Sequence, residues 1–161
     1  MGGQGAPLVP VGDAFLFSEY DFCLNLGGFA NISFQKQLHR LAFDICPVNV
    51  VLNKLAEQVG QRFDNLGRLG REGVIDRDVL SRLNELPFYS EAPPKSLGAE
   101  WVADEIHPII GDRVDLITTF YEHVAQQIAA VLTRHKLSSV FLSGGGAKNQ
   151  FLLERLKSHY G

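Results

Sequence analysis

The stretch Ser138-Ser139-Val140-Phe141-Leu142-Ser143-Gly144-Gly145-Gly146-Ala147-Lys148-Asn149 decides the fold. Val140 to Leu142 are bulky and apolar, a short run that reads as a buried strand. Three glycines follow, then a small residue, then an amphipathic run from Asn149 to Tyr160. The reading is strand, glycine turn, helix. Without Cβ atoms the turn can be sharp and a ligand can lie against bare backbone. The helix behind it offers free N–H groups and the positive end of its dipole, which suits a phosphate or a nucleoside. A tight turn with no ligand fits the same residues equally well.

Upstream of this stretch, Val114, Ile117, Phe120, Tyr121, Val124, Ile128, Val131 and Leu132 keep one helical face, predicting a helix over Asp112 to His135 capped by Asp112. Towards the N-terminus, Asp21 to Leu26 and Phe29 to Phe34 read as two strands joined at Gly27-Gly28, with Asn25 and Asn31 flanking the glycines. Taken alone, those glycines are an ordinary hairpin turn. Arg40 to Asp44 gives a third strand, stopped by Pro47. Asn49 is placed to cap a helix whose apolar positions are Val51, Leu52, Leu55, Ala56 and Val59, closed by Gly60. Gln61 to Gly73 reads as an exposed loop. Asp76 caps a short helix through Leu86. A helical turn over Glu100 to Ile106 ends at Pro108. Residues 61–108 therefore form a helical and loop insert. Residues 1–11 are glycine- and proline-rich and read as a loop, and Phe15 to Phe17 as a short apolar piece.

With 161 residues, 45% hydrophobic and 20% charged, the chain reads as one globular domain. A net charge of −3 with scattered Lys and Arg excludes a nucleic-acid footprint. No apolar run is long enough to span a bilayer, and the N-terminus has no signal-peptide pattern. Cys23 and Cys46 read as reduced core residues of a cytoplasmic protein, Cys46 having no activating base. The five histidines show no ligand spacing. Asp64 and Asp104 read as solvated charges, Lys95 as a surface lysine, and Trp101 and Tyr121 as core or interface aromatics.

A three-stranded antiparallel meander, then helices alternating with a parallel strand, is the ribonuclease-H-like α/β order. In proteins that split ATP between two such domains, a hairpin glycine pair faces the phosphates and a later glycine turn faces the nucleoside. Gly27-Gly28 and Gly144-Gly145-Gly146 fit those places.

Four stretches carry a resemblance. Gly2-Gly3-Gln4-Gly5-Ala6-Pro7-Leu8-Val9-Pro10, Leu24-Asn25-Leu26-Gly27-Gly28-Phe29-Ala30-Asn31-Ile32-Ser33, Pro93-Pro94-Lys95-Ser96 with Gly98 and Glu100, and Ser143-Gly144-Gly145-Gly146-Ala147-Lys148-Asn149 resemble, in order, motifs of the anhydro-N-acetylmuramic acid kinases. The resemblance implies a cytoplasmic sugar kinase of the actin, hexokinase and Hsp70 superfamily. Such kinases recycle cell-wall sugar by moving the ATP γ-phosphate to O6 while water opens the 1,6-anhydro ring. It implies ATP and Mg²⁺, with Gly27, Gly28 and Asn31 towards the phosphates and Gly144, Gly145, Gly146, Ala147 and Asn149 towards the adenosine. It further implies Gln4, Gly5, Ala6, Pro7 and Leu8 beside the sugar, in an interdomain active-site loop over residues 1–12. Asp44 either approaches the magnesium or pairs locally.

The sequence also departs from that family's pattern. The catalytic base is expected upstream of Gly2, in a first domain this chain does not hold, and a further strand and helix are expected after its end. Ile45, Cys46 and Val48 stand where the family has Thr, Gly and Gly, and Asn53 where it has Asp. Two readings follow. One is the second domain of a sugar kinase, inactive in isolation and prone to self-association through its bare interface. The other is an actin-like domain that keeps the fold and serves as a binding or scaffold module.

Overall fold

A computed structural model describes residues 21–36, 38–137 and 139–160. The expectations for residues 1–20, including Gln4 to Leu8, lie outside them. Strands β1 (Phe22–Leu26), β2 (Phe29–Lys36) and β3 (His39–Pro47) form the antiparallel meander, and β4 (Val140–Ser143) joins β1 in parallel, giving the order β3-β2-β1-β4. This is the α/β architecture expected from the sequence, but β4 is not the buried strand its apolar run suggests: it lies at the sheet edge with Val140 exposed and Phe141 to Ser143 only partly covered. Alternation separates the two faces of the sheet. Leu24, Leu26, Ala30, Ile32, Phe34 and Phe43 fill the core, while Asn25, Asn31, Ser33, Arg40 and Asp44 lie on the other face. A bulge between Ala30 and Asn31 lets Asn31 pair with Asp44 and Ala30 with Cys46, skipping Ile45.

The helices are α1 (Asn49–Glu57), α2 (Arg68–Glu72), α3 (Arg77–Asn84), α4 (Ala99–Trp101), α5 (His107–Ile110), α6 (Ile117–His135) and α7 (Gln150–Tyr160). Helix α6 is the spine, packing on α7, α3, α2, β3 and α1. Of its predicted apolar face, Ile117, Phe120, Tyr121, Val124, Ile128 and Leu132 are buried, and so are the polar Thr118, Thr119, Glu122 and His123. His123 is sealed between Asn84 Oδ1 (2.7 Å) and the Tyr89 hydroxyl (2.9 Å), and burial drives its pKa down to about 3. Glu122 meets Arg155 Nε (2.7 Å), Gln126 Nε2 (2.8 Å) and His159 Nε2 (2.7 Å). Burial alone would raise its pKa, but those donors outweigh it and hold the carboxyl below its usual range.

Several local expectations lose to longer-range partners. Asn49 does not cap α1: the N-cap position is Val48, and the Asn49 carboxamide donates to Leu26 O (3.2 Å) and Gly27 O (2.6 Å). The cap is supplied by the hairpin, whose Gly28 and Gly27 carbonyls accept from Val48, Val50 and Asn49 N–H. Gly60 closes the helix with φ +73°, as expected, but Val59 lies beyond it and is exposed. Gln61 to Gly73 is not an exposed loop. It holds a 3₁₀ turn (Asn65–Gly67) and α2, with Asp64, Gly67 and Gly70 buried. Pro108 does not stop the helical run: a π-helical turn over Val102–Ile106 leads into α5, where proline sits in the first turn and its missing N–H goes unneeded. Asp112 caps nothing; a 3₁₀ turn at Val114–Leu116 precedes α6, and Asp112 faces His107 at 3.7 Å. Asp76 caps α3 as predicted, accepting from Asp78 and Val79 N–H.

Candidate nucleotide site

Parallel pairing brings the carboxyl ends of β1 and β4 side by side, so the two glycine turns leave the sheet together. In open α/β sheets, ligands bind in the crevice outside those strand ends. Gly144 has φ +81° and ψ 171°, a backbone only glycine adopts readily. A Cβ there would fall 2.7 Å from Leu26 C and 2.9 Å from Gly27 N. One at Gly146 would fall 2.8 Å from Leu26 Cβ. The later turn is thus seated directly on the start of the hairpin. Gly145, between them, is exposed, and its imagined Cβ meets only Asn49 Nδ2, at 3.8 Å.

Below the turns a polar row crosses the whole sheet. Asp44 pairs with Asn31, Asn31 with Asn25, and Asn25 with Ser143, so the four side chains share one face. Asn25 reaches back towards the hairpin, its Oδ1 2.9 Å from where a Gly27 Cβ would lie. Asp44 accepts from Leu97 N–H (2.8 Å), makes no ion pair among the described residues, and its pKa is raised because burial outweighs that bond. A half-buried carboxylate without a cation is suited to receive one. Lys95 supplies none: it is not a surface lysine but half-buried, donating to Phe88 O (2.7 Å) and lying 4.3 Å over the Phe88 ring, with its pKa lowered chiefly by burial. Its segment instead covers the edge of β3, where Lys95 O accepts from Asp44 N–H.

The altered residues Ile45, Cys46 and Val48 are fully buried behind this row. Burial, with the Asp44 charge nearby, pushes the Cys46 thiol upward and keeps it protonated. Asn149 stands beneath the turn rather than on its open side: it is 8% exposed, accepts Leu152 N–H (3.1 Å) and donates to the Tyr121 hydroxyl (2.7 Å). The structure thus brings Gly27, Gly28, Asn31, Asp44, Gly144, Gly145 and Gly146 together. It adds Asn25, Ser143 and Asn49, of which Asn49 was legible only as a helix cap. Among the described residues no helix is long and apolar enough to cross a membrane.

The sequence profile of the anhydro-N-acetylmuramic acid kinases matches residues 1–161. The chain belongs to that family. It is 34% identical to the anhydro-N-acetylmuramic acid kinase of Paraburkholderia xenovorans (strain LB400), covering 97% of this chain and 45% of that protein. It is likewise 34% identical to those of Hahella chejuensis (98% and 46%) and Gloeobacter violaceus (96% and 45%). This member of the anhydro-sugar kinase family therefore spans a little under half the length of the curated relatives it matches. Among solved structures, the activator of the 2-hydroxyisocaproyl-CoA dehydratase from Clostridium difficile, determined with bound ADPNP, superposes with a TM-score of 0.53 at 17% identity, covering 94% of this chain and 55% of that one. Component A of the Acidaminococcus fermentans (R)-2-hydroxyglutaryl-CoA dehydratase gives 0.52 at 15% identity, with 92% and 56%. Both likenesses speak to the fold, which is that of the actin-like ATPases.

Proposed function

We propose that this chain is the second-domain half of an ATP-dependent anhydro-N-acetylmuramic acid kinase, which phosphorylates O6 and hydrolytically opens the 1,6-anhydro ring. The observation that carries the reading is the junction of the two glycine turns. Gly144 and Gly146 are pressed onto Leu26, Gly145 is left open, and the polar row lies below. In this reading Gly145 and its neighbours receive the adenosine, and Gly27 and Gly28 lie near the phosphates. Asn25, Asn31 and Ser143 offer hydrogen bonds, and Asp44 faces the magnesium. Bound Mg²⁺ supplies charge neutralisation on the phosphates. The sugar and the base that activates water belong with Gln4 to Leu8 and the partner domain. One wall cannot align both substrates, so the chain alone turns over nothing.

The test is ATP-dependent conversion of anhydro-N-acetylmuramic acid to a phosphorylated, ring-opened product by the complete two-domain protein. A folded protein that binds Mg·ATP but forms no product overturns the sugar-kinase reading. A second reading, a binding module with its chemistry lost, draws on Asn53 and on the buried Ile45, Cys46 and Val48. The burial of the latter three behind the polar row weakens it, since Asn31 and Asp44 still line the face. It predicts no affinity for Mg·ATP, which calorimetry checks directly.

A further inference from the structure

Asp64 is 5% exposed and has no ion pair among the described residues. The sequence suggests a solvated charge; the structure corrects that. Its carboxylate accepts from Leu69 N–H (2.9 Å), Gly70 N–H (3.0 Å) and the Tyr121 hydroxyl (3.0 Å). The same hydroxyl accepts from Asn149 Nδ2, and Asn149 Oδ1 accepts from Leu152 N–H. Donor direction is fixed along the whole chain. A carboxylate can only accept, so Tyr121 must donate to it, which leaves the hydroxyl oxygen free to accept from the Asn149 amide. This determines which way the Asn149 carboxamide faces, and with it the N-cap of α7 directly behind the glycine turn.

The backbone of the 65–72 segment closes tightly on these groups. A Cβ at Gly67, where φ is +77°, would lie 2.6 Å from Asn149 Oδ1 and 2.4 Å from Phe151 Cβ. One at Gly70 would lie 2.4 Å from the Tyr121 ring. The Tyr121 hydroxyl is held protonated by burial and by the adjacent Asp64 charge. A chain of buried hydrogen bonds therefore joins the insert to the turn through one side chain of α6.

We infer that Asp64 and Tyr121 are positioning residues for the nucleoside end of the ATP site. They fix Asn149, and through it the seat of Gly144 to Lys148, without touching the ligand. This rests on the reading of the glycine turn as the adenosine platform. It explains why a buried charge and two close-packed glycines occur in a segment that contributes nothing to the sheet.

The test uses the complete kinase and compares wild type with Tyr121→Phe, which keeps the ring against Gly70 and Phe151 but removes the hydroxyl. The expected result is an AMP dissociation constant and an ATP KM raised about tenfold, with kcat within about twofold and tripolyphosphate inhibition unchanged. A residue important only for stability would lower the melting temperature without separating AMP from tripolyphosphate. Unchanged AMP affinity in folded Tyr121→Phe overturns the inference while leaving the nucleotide site intact. If wild type binds no AMP at all, the platform reading falls and the inference with it. If Tyr121→Phe does not fold, hydrogen exchange on wild type decides. AMP-induced protection that reaches the Leu69 and Gly70 amides supports the coupling; protection confined to residues 144–149 overturns it.

Discussion

Two kinds of glycine meet at the end of the sheet. Gly144 and Gly146 are glycine because the chain itself occupies the space a side chain would need: Leu26 backbone or Cβ atoms lie under 3 Å from either imagined Cβ. Gly145, between them, has open space and nothing nearer than 3.8 Å. The first kind is accounted for by the fold. The second is not, and a residue left small beside free volume at the mouth of a sheet points to something that arrives from outside. The comparison separates two glycines that packing demands from one that it does not, within a single run of three identical residues.

The largest effect that would break this contrast belongs to Gly144→Ala. It combines a backbone conformation reserved for glycine with a main-chain collision, so a loss of about 3 kcal/mol or more is expected in chemical denaturation. A variant as stable as wild type would mean that the two turns do not touch. Next comes Asn49→Ala, which removes two hydrogen bonds to the hairpin carbonyls while leaving α1 its backbone cap. The expected loss is about 1–2 kcal/mol, again by denaturation, with α1 still helical by amide exchange.

Asp44→Asn sharpens the other side of the comparison, the polar row. The folded state disfavours the Asp44 charge because burial outweighs the Leu97 N–H bond. Stability therefore falls as pH rises from the ordinary carboxylate value of 3.8 through the raised folded one. The amide removes that slope, worth below about 1 kcal/mol at a half-exposed site, and abolishes any stabilisation by added Mg·ATP. A variant that keeps the full slope would place it on another group. The smallest change in stability, within about 0.5 kcal/mol, is expected for Gly145→Ala, together with AMP binding weakened about tenfold in calorimetry. Unaltered binding there would return Gly145 to the same class as its neighbours.

The sequence made the sheet and the spine helix legible because their signals are local. Val140 to Leu142, the Gly27-Gly28 break and the spacing from Ile117 to Leu132 each speak within a few residues. The Asp76 cap was legible for the same reason. Most of what failed were groups whose partners are distant in sequence. Asp64 is buried by Tyr121, 57 positions away, and Asn49 is drawn from its expected cap by carbonyls 22 and 23 positions back. Lys95 turns to the Phe88 carbonyl, and a π turn absorbs Pro108. The glycines of the site were readable as glycines. Which of them the fold itself demands was not, because that depends on which strand lies across the turn.

The capping of α1 by the hairpin has a consequence for modularity. The Gly27 and Gly28 carbonyls, not a side chain, satisfy the first amides of α1, and Asn49 ties the helix back to the strand end. Helix, turn and strand pair are therefore one interlocked part. Anyone grafting this hairpin onto another scaffold would have to move residues 22–57 as a block. A transplanted β1–β2 turn without α1 would leave its Gly27 and Gly28 carbonyls without the donors that satisfy them here.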